Sequence, residues 1–254
     1  MKRERIALQL YTVRERTAQD MLGTLRQLAE MGYGAVEFAG FGGVGTRELR
    51  AALEEHGLQA ASSHVSFGAW TLDPERVFSD LRTLGCSHAV VPMMPPEHRG
   101  DEETVARFAE ALNRLGQACE AEGFGFSYHN HDFEFSPLGA TTAWEVLVRE
   151  TDPHLVGLEL DVFWARYAGV DPEGLLRSLA SRIALLHLKD MAPDGRSDAP
   201  VGEGTMPWRR LIDAGDAAKV EWYIVEQDHP RNALDDVQRS LQNLERMTSR
   251  GEWE

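Results

Sequence analysis

Short apolar segments rich in Val, Ile and Leu recur along the chain, and a longer stretch with helical periodicity follows each of them. The eight segments are IALQLY from Ile6, AVEFA from Ala35, LQAASSH from Leu58, HAVVPM from His88, FGFSYHNH from Phe124, LVGLELD from Leu155, IALLHLKD from Ile183 and WYIVEQD from Trp222. Nearly continuous apolar segments are typical of strands in a parallel sheet that is covered on both faces. The pattern therefore predicts eight β-strands that alternate with helices.

The predicted helices carry start and stop signals. Asp73-Pro74 and Asp171-Pro172 each offer an N-cap side chain followed by a proline in the first turn. Gly85 ends the helix that Asp73 begins, because glycine readily adopts the left-handed conformation that closes a helix. These signals place the helices between the predicted strands.

The eight strand-helix units predict an α/β protein with one domain over residues 1–254, a single (β/α)8 TIM barrel. By length alone, 254 residues would also fit two small domains. A doubly wound open sheet is the other alternative, but it usually carries a glycine-rich phosphate turn after its first strand. Here the first strand continues into TVRERT from Thr12, which contains no glycine. The barrel is the better prediction.

The charge balance limits the classes of partner. The chain has 41 acidic and 26 basic residues and a formal charge of −15, so we expect no nucleic-acid partner. No apolar run is long enough to span a membrane, and we expect no membrane partner. The N-terminus lacks a signal-like apolar segment, which predicts a cytoplasmic protein whose two cysteines are reduced. The sequence leaves the oligomeric state open and is compatible with a homo-oligomer.

Polar and ionisable residues gather at the C-terminal ends of the predicted strands, where TIM barrels place their active sites. They are Gln9, Tyr11, Glu37, His64, His129, His131, Asp161, His187, Lys189, Glu226 and Asp228. Strand ends meet solvent, and solvation alone would explain some of these residues. Four histidines at one rim favour a shared functional site instead.

Carboxylates and one imidazole at this rim predict a site for one divalent metal ion. The expected ligands are Glu134, Asp161, His187 and Glu226. This mixed oxygen and nitrogen set suits Mn2+, Co2+, Zn2+ or Mg2+. Several carboxylates brought together without a cation would repel each other, and one of them would take up a proton.

The order of five motifs resembles the xylose-isomerase-like TIM barrels over essentially the whole chain. The motifs are LQLYTVR, YHNHDFEF, LELDVFWA, LHLKD followed by VGEGTMPW, and IVEQD. Within that superfamily the chain is most similar to the sugar phosphate isomerase/epimerase branch, which also contains inosose dehydratases and keto-sugar lyases.

The resemblance implies one divalent metal held by a Glu, an Asp, a His and a second Glu from strands five to eight. Asp161, His187 and Glu226 match the last three of these positions. At the end of strand five, where many relatives carry the first glutamate, this chain has His129, and Glu134 is the nearest carboxylate. We predict Glu134 as the ligand, with His129 as the alternative.

The other candidates are assigned to catalysis or to substrate binding. His129, His131 and Lys189 are predicted to act in proton transfer or enolate stabilisation, together with the carboxylates of Glu134 and Glu226. The predicted substrate-binding residues are His64, Trp164, Glu203 and Trp208, of which Glu203 and Trp208 lie in a loop that could close over the ligand.

These features predict a metal-dependent sugar isomerase or epimerase that acts on a keto-sugar or polyol, a small molecule, through an enediolate. A metal-dependent dehydratase or lyase of an inosose or 3-keto-glycoside is the alternative, because both reactions begin with proton removal next to a carbonyl. A sugar-binding barrel without catalysis is the non-enzymatic alternative. An endonuclease on the same fold would need a basic surface, which the charge of −15 disfavours.

Overall fold

Eight parallel strands close into a barrel in the computed structural model of the protein, which describes residues 1–250. The strands are β1 Ile6–Gln9, β2 Ala35–Phe38, β3 Gln59–His64, β4 His88–Val91, β5 Gly125–His129, β6 Gly157–Asp161, β7 Ile183–Leu188 and β8 Trp222–Val225. They follow one another around the barrel in chain order, and β1 closes it by pairing with both β2 and β8. This closed parallel sheet confirms the predicted fold.

Helices connect the strands and cover the outside of the barrel. They are α1 Arg14–Gln19, α2 Met21–Met31, α3 Thr46–His56, α4 Phe67–Leu72, α5 Pro74–Leu84, α6 Glu102–Ala121, α7 Ala143–Glu150, α8 Val162–Tyr167, α9 Pro172–Ser178, α10 Trp208–Ala218 and α11 Ala233–Arg250. Short 3-10 turns span Arg3–Arg5, Leu10–Val13, Pro96–His98 and Phe133–Phe135. Pro137–Leu138 pairs with Thr141–Thr142, and Asp190–Met191 pairs with Asp198–Ala199, as two small hairpins beside the barrel. Within residues 1–250, no helix has the length and hydropathy of a membrane span.

The predicted helix signals act as expected. The Asp73 side chain accepts the Arg76 N–H at 3.0 Å, and Pro74 occupies the first turn of α5. The Asp171 side chain caps α9 in the same way, through the Glu173 N–H. Gly85 ends α5 with φ 71°, a conformation that a residue with a β-carbon rarely adopts. These caps set the length of the loops that lead into and out of the strands.

The apolar core has two parts. The larger part fills the space between the strands and the surrounding helices. The smaller part, which we call the apolar layer, consists of Ala7, Ala35, Ala61, Val90, Leu185 and Ile224. All six are buried and come from six different strands, so the apolar layer fills the barrel interior. It forms the floor of the barrel interior beneath the ionisable residues, two of which follow apolar-layer residues in the same strand.

Candidate metal centre

A layer of ionisable side chains lies inside the barrel, next to the apolar layer. Its members are Glu37, His64, His129, Glu159 and His187, of which all but His64 are buried. Two of them follow apolar-layer residues by two positions, Glu37 after Ala35 and His187 after Leu185. Side chains two positions apart in a strand share a face. The ionisable layer is therefore the next interior level toward the C-terminal ends of the strands.

Hydrogen bonds across the barrel axis show that these side chains point inward. His187 on β7 places Nε2 2.9 Å from Glu37 Oε1 on β2, and these two strands are not neighbours. His187 Nδ1 lies 3.0 Å from Glu226 Oε2, directly after β8. Burial alone would lower the pKa of His187, but Glu159, Glu226 and Glu37 raise it well above its usual value. The imidazole thus joins carboxylates from three sides of the barrel.

His64 makes the equivalent contacts from β3. Its Nε2 lies 2.7 Å from Glu159 Oε2 on β6 and 3.2 Å from Glu37 Oε1. Burial opposes the charged imidazole, yet Glu37 and Glu159 raise the pKa of His64 to about 10. The pKa of Glu159, which burial would raise, is held well below its usual value by His187 and His64. Carboxylates and imidazoles thus pair across the axis and stabilise one another's charged forms.

Lys189 adds the only lysine of the site described here, just beyond β7. Its Nζ lies 3.1 Å from Glu226 Oε2, 3.4 Å from Asp161 Oδ2 and 2.5 Å from Asp228 Oδ2. Burial would lower the pKa of Lys189, but these three carboxylates raise it well above its usual value. The ammonium also lies 5.0 Å from the ring centroid of Trp164, a cation–π contact.

The structure forms two overlapping groups of side chains with the composition of a metal site. One group is His129, Asp161, His187 and Glu226, and the other is His64, His129, Glu159 and His187. Within each group, one ligand atom per residue lies within 4.8 Å of all the others. The first group contains three of the four ligands predicted from the sequence, with His129 from β5 as the fourth member.

Unpartnered buried atoms show that these residues fit a cation. His129 Nδ1 lies 3.0 Å from Glu159 Oε2 without forming a hydrogen bond, and Glu159 Oε1 has no hydrogen-bond partner. Buried polar atoms normally have partners, and a bound cation is one way to supply them. The donors are imidazole nitrogens and carboxylate oxygens, the set that borderline divalent ions prefer. Imidazole nitrogens and carboxylate oxygens therefore converge inside the barrel. Binding an ion there would require the His187 imidazole to lose its extra proton, because metal ligands are deprotonated.

The orientation of Asp161 is set by its own backbone surroundings. Asp161 Oδ1 accepts the Trp164 N–H at 2.9 Å and caps α8. The Asn130 side-chain oxygen accepts the Asp161 N–H at 3.0 Å, which joins the ends of β5 and β6. Partners of this kind hold a ligating carboxylate in position. Asn130 thus has a structural role between the two histidines that flank it.

Glu134 lies outside both ligand groups. It belongs to the 3-10 turn Phe133–Phe135, is fully buried, and accepts hydrogen bonds from the Tyr128 hydroxyl and from the His131 N–H at 2.9 Å. Burial raises the pKa of Glu134 to about 7. The structure does not bring Glu134 into either ligand group, because both of its oxygens accept hydrogen bonds from its own loop and strand.

The predicted substrate-binding residues divide between two adjoining cavities and the core. His64 and Trp164, together with the predicted catalytic residue His131, line a cavity of about 630 Å³ at the ligand groups, which we call the inner cavity. Glu203 lines a second cavity of about 620 Å³, which we call the outer cavity. Trp208 is 5% exposed and lines neither of them.

Asp190 explains the position of Trp208. Its carboxylate accepts the Trp208 indole N–H and the backbone N–H groups of Met191, Gly202, Gly204 and Met206, at 2.7–3.1 Å. These five bonds hold the loop between β7 and α10 against the barrel. Trp208 is thereby turned into the core, while Glu203 stays at the cavity wall.

Sequence reasoning overlooked Glu159 and treated Glu37 only as a polar strand end. Both residues follow register shifts in their strands, between Leu158 and Glu159 and between Val36 and Glu37. A signal for Glu159 was available, because it precedes Asp161 by two positions and is charged within an apolar strand.

The comparisons with known proteins agree with the barrel fold. A model of the xylose isomerase-like TIM barrel family matches residues 25–247. An inosose dehydratase of Geobacillus kaustophilus is 31% identical over 196 residues, which are 67% of this chain and 62% of that protein. An inosose dehydratase of Clostridium botulinum is 29% identical over 168 residues, 58% of this chain and 55% of that protein. The match thus spans about three fifths of the length of these curated relatives.

Solved structures extend the likeness over nearly the whole chain. A sugar phosphate isomerase/epimerase from Parabacteroides distasonis has a TM-score of 0.81 and 25% identity, with 96% of this chain and 94% of that chain covered. A zinc-bound protein named IolI has a TM-score of 0.76 and 16% identity, with 97% and 98% covered. At that identity, the second likeness is one of fold.

Proposed function

The chain belongs to the xylose isomerase-like TIM barrel family, and we propose that it is a metal-dependent enzyme that dehydrates a cyclic keto-polyol or keto-sugar. The observation that carries this proposal is the convergence of His129, Asp161, His187 and Glu226 at the inner cavity. Relatives named inosose dehydratase support the substrate class, since an inosose is a cyclic keto-polyol.

We assign the metal to His129, Asp161, His187 and Glu226, with His129 in the place that the sequence analysis gave to Glu134. Nδ1 of His129 forms no hydrogen bond and lies 3.0 Å from Glu159 Oε2, whereas both Glu134 oxygens accept hydrogen bonds. Glu37 and Glu159 both lie next to Nε2 of His187, and these contacts favour one orientation of its ring. When bound, a divalent ion would polarise the carbonyl of the substrate as a Lewis acid.

His131 is the proposed base. It lines the inner cavity beside His129, with ring centroids 5.0 Å apart. Burial, followed by the charges of His129 and Lys189, lowers the pKa of His131 and leaves its imidazole neutral. Its Nδ1 is buried and has no hydrogen-bond partner in the part of the chain that the structure describes. The base removes the proton next to the carbonyl, and the C–H bonding pair becomes the new C=C bond. Proton transfer by a positioned side chain contributes typically about 10²–10⁴-fold to a rate.

Loss of the β-hydroxyl completes the reaction. The hydroxyl leaves with its bonding electrons and takes up one proton, so that one water is released. Lys189 and Asp228, at 2.5 Å from each other, lie near the inner cavity and are the groups placed to pass that proton. Trp164 lines the same cavity and offers an apolar face to the C–H surface of the ring.

Isomerisation or epimerisation is the second candidate, and the Parabacteroides distasonis neighbour supports it. It shares the first proton removal but returns the proton to carbon instead of expelling a hydroxyl. A standard two-glutamate epimerase would need a carboxylate at the end of β5, where this chain has His129. That difference is why we place dehydration first.

Metal analysis and an activity screen test the proposed function. We expect about one divalent ion per chain and, with Mn2+, Co2+, Zn2+ or Mg2+ added, formation of an unsaturated product from an inosose. Ketoses and 3-keto-glycosides belong in the same screen, because proton exchange with solvent at the α-carbon would report the first step that both reactions share, and an isomeric or epimeric product would reveal isomerase activity. A protein that binds no metal and exchanges no proton with any of these compounds would contradict the proposal.

The choice between His129 and Glu134 as ligand is tested by metal titration of His129→Ala and Glu134→Gln. We expect His129→Ala to weaken metal binding at least about tenfold and Glu134→Gln to stay within about twofold of the unmutated protein. His154→Ala is the control, since His154 is exposed and distant from the ligand groups in the fold. The reverse pattern would restore Glu134 as the ligand.

A further inference from the structure

A series of buried hydrogen bonds leads from the proposed base to the loop after β4. The Glu134 carboxylate accepts the His131 N–H at 2.9 Å through Oε2 and the Tyr128 hydroxyl through Oε1. The Tyr128 oxygen in turn accepts the Met94 N–H at 3.0 Å. Glu134, Tyr128 and Met94 are each at most 1% exposed. We call these three hydrogen bonds the Glu134 network.

Both ends of the Glu134 network lie next to the wall of the inner cavity. His131 lines that cavity, and so does Met93, the residue before Met94, which is 43% exposed. The two wall residues belong to loops that follow neighbouring strands, β5 and β4. The Glu134 network therefore connects two segments of the cavity wall on their buried side.

The aromatic ring of Phe133 extends this support to the His131 side chain. Its plane lies 18° from that of the His131 imidazole, with ring centroids 6.1 Å apart. In the loop after β4, Arg99 Nε donates to the Met94 carbonyl at 2.8 Å, and its guanidinium carbon lies 3.7 Å from the Phe133 ring centroid. Phe133 and Glu134 share one 3-10 turn, so the position of this turn determines where the ring that faces His131 lies.

The hydrogen-bond donors of the network require a carboxylate at Glu134. The Tyr128 oxygen already accepts the Met94 N–H, so the hydroxyl hydrogen needs an acceptor of its own. The His131 N–H needs a second acceptor. A carboxylate offers two acceptor oxygens, whereas a glutamine amide offers one oxygen and an NH2 group that only donates. Glutamine would therefore leave one of the two donors unpartnered, which costs free energy in a buried site.

Stability alone does not account for a carboxylate at this position. Both of its hydrogen-bond donors are neutral groups, and burial raises the pKa of Glu134 to about 7. A carboxylate costs free energy to bury in such surroundings. An apolar side chain would avoid that cost. The location of the carboxylate beside the proposed base favours a role in the reaction instead.

We propose that Glu134 is a positioning residue for the reaction: its carboxylate fixes the turn that supports His131, so that the imidazole faces the substrate at the metal centre. This inference rests on the proposed function, in which His131 is the base. Glu134 does not line the inner cavity and belongs to neither ligand group. Its replacement should therefore slow proton removal with little change in substrate or metal affinity.

Single-turnover kinetics of the metal-loaded protein with an inosose test this role, at a pH well above the Glu134 pKa of about 7. We expect Glu134→Gln and Tyr128→Phe each to lower the rate about 10–100-fold, because small displacements of a catalytic group have effects of this size. The Kd values of substrate and metal should stay within about twofold. Tyr33→Phe is the matched control and should keep the full rate, since Tyr33 is 3% exposed, donates its hydroxyl to the Val237 carbonyl at 2.8 Å and lines neither cavity.

A double variant distinguishes positioning from a general effect on the structure. His131→Ala removes the base itself, so adding Glu134→Gln to it should lower the rate by no more than about twofold. A general structural effect would lower the rate equally with and without His131. Circular dichroism and thermal unfolding show whether each variant is folded at the assay temperature. If Glu134→Gln does not fold, Tyr128→Phe makes the same comparison in both backgrounds.

Three results would overturn the inference. An unchanged rate in the folded variants would show that the Glu134 network does not position the base. Equal losses with and without His131 would show that the carboxylate acts through another group. Loss of the metal from Glu134→Gln would make Glu134 a ligand. Absence of turnover by the unmutated protein, or full activity of His131→Ala, would instead contradict the proposed function.

Discussion

The apolar layer and the ionisable layer occupy the same barrel interior and lie two residues apart on β2 and β7, yet one consists of hydrocarbon side chains and the other of carboxylates and imidazoles. On β7, Leu185 belongs to one layer and His187 to the other. Leu185 packs against apolar side chains from other strands, whereas His187 contacts three carboxylates. The apolar layer contributes burial to stability, while the ionisable layer concentrates charges that cost free energy to bury unless they are paired.

This difference shows how the barrel separates stability from chemistry. A floor of apolar side chains excludes water beneath the site, and a low dielectric strengthens the electrostatic interactions above it. The charges of the ionisable layer can be buried because carboxylates and imidazoles from opposite strands pair across the axis. Substitutions in one layer should therefore change stability, and substitutions in the other should change metal binding and activity.

The largest effect is expected from the metal ligands themselves. Asp161→Asn and His187→Ala should each lower kcat/KM by at least about 10³-fold, because a Lewis-acid metal contributes several kcal/mol to the transition state. Metal content should fall in both variants while circular dichroism still shows a folded barrel. Full activity with a bound ion in either variant would remove that residue from the ligand set.

Leu185→Ala tests the apolar layer on the same strand as His187. Its side chain is fully buried, and the substitution should reduce the free energy of unfolding by about 2–5 kcal/mol, measured by urea denaturation. Metal affinity of the folded variant should stay within about threefold of the unmutated protein, since the ligands are untouched. A large loss of metal binding with little loss of stability would show that the layers are not separate.

Metal addition should stabilise the protein in a way that depends on the metal ligands and not on the apolar layer. Mn2+ or Zn2+ at about 100 times its Kd should add about 2.7 kcal/mol to the free energy of unfolding, because the ion binds the native state. Thermal unfolding with and without a chelator measures this shift. Leu185→Ala should show the same shift as the unmutated protein, and His187→Ala should show almost none.

Glu159→Gln is expected to give the smallest of these effects and to sharpen the division within the ionisable layer. Its carboxylate lies 2.7 Å from His64 and 3.3 Å from His187, so it orients imidazoles in our assignment without belonging to the four ligands. Metal affinity should fall about 10–100-fold, as expected for a residue that supports a ligand. A complete loss of metal binding would favour the alternative group that contains Glu159 as a ligand.

Much of this organisation could be predicted from the sequence, because it depends on periodic patterns. The eight apolar segments predicted a parallel barrel, since each of them has the length and composition of a strand covered on both faces. Asp161, His187 and Glu226 could be grouped because they lie at the ends of strands, and parallel strands bring those ends to one rim. For these residues, position along the strand determines position in space.

Only the tertiary structure decided the remaining contacts. Glu134 follows β5 in a turn, where side-chain direction has no fixed period. Its carboxylate accepts hydrogen bonds from the Tyr128 hydroxyl and the His131 N–H, which hold it away from the metal site. Glu37 and Glu159 come directly after irregularities in strand register, and such irregularities change which direction a side chain faces. Their contacts with imidazoles across the axis exist only because the sheet closes, and closure brings together residues that lie far apart in the chain.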